Sequence, residues 1–112
     1  MEKVTDKWFK EHGWKKTEEK YKPIDDQPGY EDCVRHHIIY DLIRKDMHAQ
    51  VTCTTTVIPA KRWKKKSIER FYTFWATGNK LWEVKNRISY HRFPVETIEN
   101  ALKVVGYKEE ER

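Results

Sequence analysis

The sequence predicts an α+β fold: a four-stranded antiparallel sheet, made of two hairpins and flanked by a short N-terminal helix and a C-terminal helix in the order α-β-β-β-β-α. Helix start and stop signals near both ends of the chain predict the helices. Two strand-like stretches with turn residues at their centres predict the hairpins. With 112 residues, the chain can bury one modest core, so we expect a single domain over residues 1–112.

The first helix is predicted in "VTDKWFKEHGW", residues 4–14. Thr5 can cap it, and Val4 and Phe9 occupy the two positions of a hydrophobic staple. Gly13 suits the left-handed residue that follows a last helical turn. Residues 15–32 carry two prolines, a Pro-Gly turn and scattered charge, which predicts a loop with room for one short edge strand.

The first hairpin is predicted between residues 33 and 57, with its turn centred on Asp46 and Met47. This register places Tyr40 opposite Cys53 and gathers the apolar side chains on one side of the sheet, whereas a one-residue slip would bring charged residues there. The apolar side would hold Val34, Ile38, Tyr40, Leu42, Val51, Cys53 and Val57. The same register separates Cys33 from Cys53 by roughly 20 Å, so we expect two reduced thiols and no disulfide.

The second hairpin is predicted in "RFYTFWATGNKLWEVKNR", residues 70–87, where Gly78 and Asn79 suit a two-residue turn. Pairing outward from that turn places Trp75 opposite Trp82. One face would then be apolar, formed by Trp75, Trp82, Val84 and Ile88. The other face would point to water and interleave aromatic with cationic side chains, namely Arg70, Tyr72, Phe74, Lys85 and Arg87.

The closing helix is predicted in "FPVETIENALKVVGY", residues 93–107. Pro94 fits the first helical position and Gly106 fits the stop. The residues Val95, Ile98, Leu102 and Val105 form one apolar stripe. We expect this stripe to pack on the Trp75 face, so that the helices cover one side of the sheet and water covers the other.

Charge is distributed unevenly along the chain. The net charge is +5, but residues 33–94 alone carry +9, from thirteen Lys or Arg against four acidic residues. The segments before and after carry −2 each. Because binding responds to the local field, this pattern favours a surface that faces a polyanion. The alternative is a well-hydrated sheet without a charged partner.

A basic, aromatic binding surface is therefore predicted from two parts of the chain. The first is the outer sheet face, with Arg70, Tyr72, Phe74, Lys85 and Arg87 joined by Arg35 and His37 of the first hairpin. Every base has a π face that can stack on Tyr or Phe, while cations neutralise phosphates. The alternative is a Tyr72–Lys85 cation-π pair, with Phe74 covered by the long loop.

The second part is the connection "AKRWKKKSIER", residues 60–70, with six basic residues and one acid. Like charges this close repel, which predicts a connecting loop that a polyanion would neutralise. The predicted contact residues are Lys61, Arg62, Trp63, Lys64, Lys65 and Lys66. An exposed Trp63 would add a stacking group; the alternative is a solvated connector with Trp63 tucked into the core.

No catalytic or metal-binding set is recognisable. His36 and His37 are adjacent in a strand, so they point to opposite faces and cannot chelate one metal. His37 shares a face with Asp41, but ~13 Å separates them. We expect no cofactor and no enzymatic activity. The enzymatic alternative is a phosphodiester-cleaving enzyme that uses His37.

The chain resembles short, mostly uncharacterised phage and prophage proteins of Gram-positive bacteria. The resemblance lies in an opening helix that ends "WFKEHGW" and a closing helix that ends "ALKVVGY", with strands between them. It implies a small accessory or anti-defence protein that acts by binding. "MEKVTDKWFK" lacks the apolar run of a signal peptide, and no stretch approaches a membrane span, so we expect an intracellular protein without a membrane contact. The resemblance implies that its compartment is the bacterial cytoplasm.

The function predicted from the sequence is a non-enzymatic binding module for nucleic acid, single-stranded in preference, or for a phosphorylated nucleotide. The alternative is a phage-type anti-defence inhibitor, such as an anti-CRISPR, that uses the same surface against an acidic host protein. Pairing through an exposed strand edge would give a dimer, so monomer and dimer both stay open.

Overall fold

The structure is a computed structural model and describes residues 3–21, 33–60, 62–63, 65–83, 88–89 and 93–106. It confirms the α+β class, with an antiparallel sheet and two helices. The elements in chain order are α1 (Asp6–Glu11), β1 (Lys15–Tyr21), β2 (Val34–Arg44), β3 (Met47–Ile58), β4 (Ser67–Thr77), β5 (Leu81–Glu83), β6 (Ile88–Ser89) and α2 (Val95–Val104). Neither helix is long and apolar enough to cross a membrane.

Among the described residues, the sheet has five strand positions and not the predicted four. Strands β1 to β4 are neighbours in chain order, and β5 and β6 both lie beside β4. The additional strand, β1, lies at the edge of the sheet and comes from the segment that was predicted as a loop with room for one short edge strand. Its residues 15–20 are all exposed and mostly charged, so it has no apolar alternation to reveal it. Such charged side chains suit the edge of a sheet, where they oppose pairing with another chain.

The first hairpin has the predicted apolar side but a different register. Its turn lies at residues 45–46, and Tyr40 is opposite Val51 instead of Cys53. Because the difference is two residues, each side chain stays on its predicted face. Tyr40, Leu42, Val51 and Cys53 are buried accordingly. Both cysteines are buried free thiols, as predicted, and burial raises the pKa of Cys53.

The predicted register of the second hairpin is wrong by one residue. Trp82 lies opposite Ala76, and Trp75 lies opposite Glu83. A one-residue change moves a strand's side chains to the other face. Trp82 therefore shares a face with Ala76, Phe74 and Tyr72, and this face carries the helices. Trp75 lies on the opposite face and is half-buried.

Gly78 explains the register. It does not serve as the left-handed residue of a two-residue turn, because three residues, 78–80, connect β4 to β5. A Cβ atom on Gly78 would instead clash with the carbonyl oxygen of Val105. Asn79 donates its backbone N–H to the same oxygen at 3.0 Å. The connection therefore packs against the end of α2, and glycine allows the close approach.

The two helices begin and end almost where the sequence predicts. Thr5 Oγ1 accepts a hydrogen bond from the Trp8 N–H at 3.1 Å, and Gly13 has φ +81°. α2 ends before Gly106, which has φ +88°, but Pro94 is its N-cap and not its first helical residue. The predicted stripe of α2 is buried, formed by Val95, Ile98, Leu102 and Val105.

Both helices pack on one side of the sheet, which we call the helix face. There Phe9 of α1 stacks on Tyr40 with ring centroids 3.9 Å apart. Phe93, just before α2, contacts Tyr72 at a centroid distance of 4.8 Å. The helices cover only the half of the face near the β2–β3 turn; on β4, the helix-face residues Ile68 and Arg70 are exposed, whereas Phe74 and Ala76 are buried. We call these the covered and the uncovered half.

Candidate nucleic-acid interface

The predicted stacking platform of the second hairpin is not on the surface. Tyr72 and Phe74 are 7% and 2% exposed, because both lie on the helix face. Phe74 packs on Trp82 with ring centroids 4.9 Å apart. The prediction that these two rings face water is wrong, and they form core instead. Arg70 lies on the same face but in the uncovered half, where it is exposed.

The face opposite the helices is not basic among the residues that the structure describes. By strand register, its cations are Lys15 and Arg35, and its acidic residues are Glu19, Asp41, Glu69 and Glu83. Lys85 and Arg87, which were predicted to add positive charge to the hairpin, lie outside the described residues. Among the described residues, most of the positive charge of the middle segment therefore lies off this face.

Arg35 and His37 do lie on this face, beside β3, but part of the face is closed. Thr54 and Thr56 of β3 are only 4% and 2% exposed, although this side of the sheet was predicted to face water. Arg35 Nε donates to Thr56 Oγ1 at 3.3 Å. Burial and the charge of Arg35 lower the pKa of His37, so its imidazole is neutral at pH 7 and adds no charge for a phosphate.

A polar cluster on the same face was missed by the sequence analysis. The Asp41 carboxylate accepts hydrogen bonds from His48 Nε2 at 2.8 Å and from Gln50 Nε2 at 3.0 Å. The His48 ring also meets Trp75 edge-on, at 4.7 Å between centroids. In the predicted register Asp41 would lie opposite Thr52, whereas it actually lies opposite Gln50. Only the correct register reveals the cluster.

This cluster does not form a catalytic set among the described residues. Asp41 fixes the orientation of the His48 imidazole, as in the acid–histidine part of a triad. No described Ser, Thr or Cys side chain is hydrogen-bonded to His48. Within the same part of the chain, no group of three His, Cys, Asp or Glu residues is arranged to hold a metal ion.

The basic connection between β3 and β4 does present an aromatic residue to the solvent. Trp63 is 90% exposed, and the Arg62 guanidinium lies 5.6 Å from its ring centroid. Lys65 and Lys66 are exposed beside it, while Lys61 and Lys64 lie outside the described residues. Of the two alternatives for Trp63, the structure shows the exposed one. We call residues 59–66 the Trp63 loop.

No protein-family model, curated protein or solved structure matches the chain. The resemblance to phage and prophage proteins therefore stays a prediction, and no relative assigns a role to the Trp63 loop. Its position in the fold is simple: it lies at the end of the sheet away from the β2–β3 and β4–β5 turns. The uncovered half of the helix face, with Ile68 and Arg70, adjoins it.

Proposed function

We propose that the protein binds single-stranded nucleic acid through the Trp63 loop. The observation that supports this most strongly is an indole that is 90% exposed within a run of cationic side chains. Burying a large apolar side chain stabilises a fold by about 1.5–3 kcal/mol, and this chain leaves Trp63 in water. An exposed aromatic residue among cations suits a ligand with both π faces and negative charge.

The loop offers these two kinds of contact side by side. The Arg62 guanidinium lies over the Trp63 ring, which leaves the other ring face for a base. A stacked base contributes about 1–3 kcal/mol. Arg62, Lys65 and Lys66 neutralise phosphates on either side. Arg70 extends the positive charge from the loop into the uncovered half of the helix face.

Salt dependence tests the electrostatic part of the proposal. Binding of a labelled oligothymidylate is measured by fluorescence anisotropy. The logarithm of the association constant should fall linearly with the logarithm of the salt concentration. If Arg62, Lys65 and Lys66 each contact a phosphate of a single strand, the slope should be about −2. Removing two of them, in Lys65→Ala/Lys66→Ala, should reduce its magnitude by about 1.4. Affinity should also grow with oligonucleotide length, which a site for a single phosphorylated nucleotide would not show.

The matched control removes two cations elsewhere. Lys45 and Lys80 are exposed at the opposite end of the sheet, about 36 Å from the loop along an 11-residue strand. Because this distance exceeds the Debye length of about 10 Å at 0.1 M salt, Lys45→Ala/Lys80→Ala should keep the wild-type slope. Equal losses in the two double variants would show that net charge, and not the loop, attracts the nucleic acid.

A Trp63→Ala variant tests the stacking part. Affinity should fall about 5- to 150-fold, corresponding to one stacked base. The salt slope should stay the same because no charge is removed. Leu81→Ala, which also removes an exposed apolar side chain but at the other end of β4, should bind like the wild type. Unchanged affinity in Trp63→Ala, or no binding of the wild type at low salt, would overturn the proposal.

A protein partner with an acidic patch is the second candidate, and one observation favours it. Ile68 is 52% exposed next to the loop, and an aliphatic side chain beside Trp63 suits the apolar centre of a protein interface. Under this alternative, Ile68→Ala would weaken the complex strongly, and the complex would persist at physiological salt. Nucleic-acid binding should be indifferent to Ile68→Ala.

A further inference from the structure

A pocket of about 290 Å³ opens between the end of α1, strand β2 and α2. It is lined by Trp8, His12, Trp14, Leu42, Glu99, Leu102 and Lys103. It lies against the covered half of the helix face, whereas the Trp63 loop is at the other end of the sheet. Whatever the pocket binds is therefore independent of the proposed nucleic-acid interface.

The walls of the pocket are aromatic and held in place by the core. Trp8 and Trp14 have ring centroids 6.3 Å apart, and Phe9 packs behind both at 5.3 and 5.2 Å. Leu42 and Leu102 are buried and complete the apolar lining. Such a preformed lining can accept a ring without first ordering its own side chains, and this lowers the cost of binding.

The rim of the pocket is polar and carries one charge of each sign. Glu99 and Lys103 are exposed and lie one turn apart on α2, a spacing that sets their Cβ atoms about 5–6 Å apart. Among the described residues, no ion pair joins them to each other or to a third side chain. Both charges are therefore available to a ligand.

His12 completes the rim. Its ring stacks on Trp8 at 4.3 Å between centroids, and its Nδ1–H donates to the Trp8 carbonyl oxygen at 2.7 Å. In the neutral ring this bond leaves Nε2 as an acceptor. With the ring in this form, the rim combines two acceptors, the Glu99 carboxylate and His12 Nε2, with one cationic donor, Lys103.

We propose that this pocket binds a free aromatic amino acid. The ring enters between the tryptophan and leucine walls, the ammonium group pairs with Glu99, and the carboxylate pairs with Lys103. The volume is near the lower end of the ~300–1,000 Å³ of small-molecule sites, so it suits one ring with a short polar head. A ligand with a single charge would satisfy one rim residue and be repelled by the other.

Three ligands with the same ring test the assignment: phenylalanine, phenethylamine, which keeps only the positive charge, and 3-phenylpropanoate, which keeps only the negative one. Binding is followed by NMR through the indole N–H signals of Trp8 and Trp14, with those of Trp63 and Trp75 as internal references. Phenylalanine should shift the first pair and leave the references unchanged. Each singly charged analogue should bind about tenfold more weakly.

Two variants of exposed residues separate the charges. Glu99→Gln should weaken phenylalanine about tenfold and strengthen 3-phenylpropanoate, because the charge that repels its carboxylate is removed, whereas Lys103→Met should weaken phenylalanine and strengthen phenethylamine for the corresponding reason. Glu69→Gln, an exposed change on the face of the sheet opposite the helices, should leave all three affinities unchanged. A concentration of 10 mM phenylalanine would half-fill even a very weak site, with a dissociation constant on the order of 10 mM. If the indole N–H signals of Trp8 and Trp14 do not shift at this concentration, the proposal is overturned. An analogue that binds as tightly as phenylalanine would also overturn it. Neither result would bear on oligonucleotide binding at the Trp63 loop.

Discussion

Asp6 connects α1 to the sheet through two side chains, Lys16 of β1 and Tyr40 of β2, and it also pairs with Lys10 on α1 itself. Its carboxylate lies 3.1 Å from Lys16 Nζ, accepts from Tyr40 Oη at 3.0 Å and lies 3.3 Å from Lys10 Nζ. The contact with Lys16, then that with Tyr40, lowers the pKa of Asp6. Burial and the hydrogen bond to Asp6 raise the pKa of Tyr40, so its hydroxyl stays a donor at neutral pH. The side chain of Asp6 therefore binds Lys16 and Tyr40 more strongly when it is ionised than when it is protonated.

Replacing Asp6 should lower stability in a pH-dependent way. Because its pKa is lowered on folding, its contribution is present above about pH 4, the ordinary range of Asp, and is lost as pH falls through the lower folded-state pKa. With a side chain 41% exposed, Asp6→Asn should cost at most about 1 kcal/mol at pH 7. Urea unfolding at pH 7 and pH 3 should show a smaller difference from wild type at the lower pH.

The control for Asp6 is Glu11, on the same helix. Glu11 pairs only loosely with Lys7, at 3.7 Å, and both side chains are largely exposed. Glu11→Gln should therefore stay within about 0.5 kcal/mol of wild type at either pH. An Asp6→Asn effect that is equally large at both pH values would show that the carboxylate's charge is not what stabilises the contact.

At the scale of elements, the β4–β5 connection and the end of α2 are packed against each other. Gly78 approaches the carbonyl of Val105, and Asn79 donates to it. On the other side of the contact, a Cβ on Gly106 would clash with the Asn79 amide. Two glycines that are far apart in the sequence thus allow one backbone contact.

Gly78→Ala should be destabilising because its new methyl group would meet backbone, which cannot move aside as a flexible side chain can. We expect a loss of about 1–3 kcal/mol in the free energy of unfolding, measured in urea. Lys80→Ala, in the same connection but exposed, should change it by less than about 0.5 kcal/mol. If the two variants were equally stable, the close approach of Gly78 to α2 would not exist in solution.

The helices could be predicted from the sequence because their signals are local. Thr5 and Gly13 lie within one turn of the helix that they delimit. The face of β4 could not be predicted, since Phe71 and Trp75 alternate with Tyr72 and Phe74, so both faces look equally aromatic. The deciding contact, between Gly78 and Val105, joins residues that are distant in sequence.

The parts of the candidate interface that do not depend on strand register could be predicted from the sequence, and the parts that depend on it could not. Composition alone identified the Trp63 loop, because a run of lysines around one tryptophan does not need a register to be recognised. The stacking platform of Tyr72 and Phe74 depended on the register and was wrong. The Asp41–His48 pair depended on the register of the first hairpin and was missed, although both residues lie within the predicted hairpin.

At the scale of the whole molecule, the two ends of the sheet have different support. In the covered half, Phe74 and Ala76 of β4 pack beneath the helices. In the uncovered half, residues 67–70 of the same strand are all exposed. Regions with few buried apolar contacts open more readily than the core. One strand therefore spans a stable region and a less stable one.

Amide hydrogen exchange should show this difference within β4. Amides of residues 68 and 70 should exchange at least about tenfold faster than those of residues 74 and 76, which point in the same direction along the strand. Because all four are even-numbered positions of β4, their N–H groups point to the same side of the strand. The comparison is therefore not affected by the alternation of N–H groups between the two neighbouring strands. Uniform exchange along β4 would mean that the sheet opens as one unit.

The packing of α2 on the sheet also has a consequence for how the chain is made. On the helix face of β4, Tyr72 and Phe74 pack against Phe93, which is synthesised, together with α2, after the strands that the structure describes. On the ribosome, the strands emerge with this apolar face bare, and the core cannot close until residues 93–106 have left the exit tunnel. Exposed apolar strands of this kind aggregate readily. The nascent chain is thus most in need of a chaperone just before α2 appears.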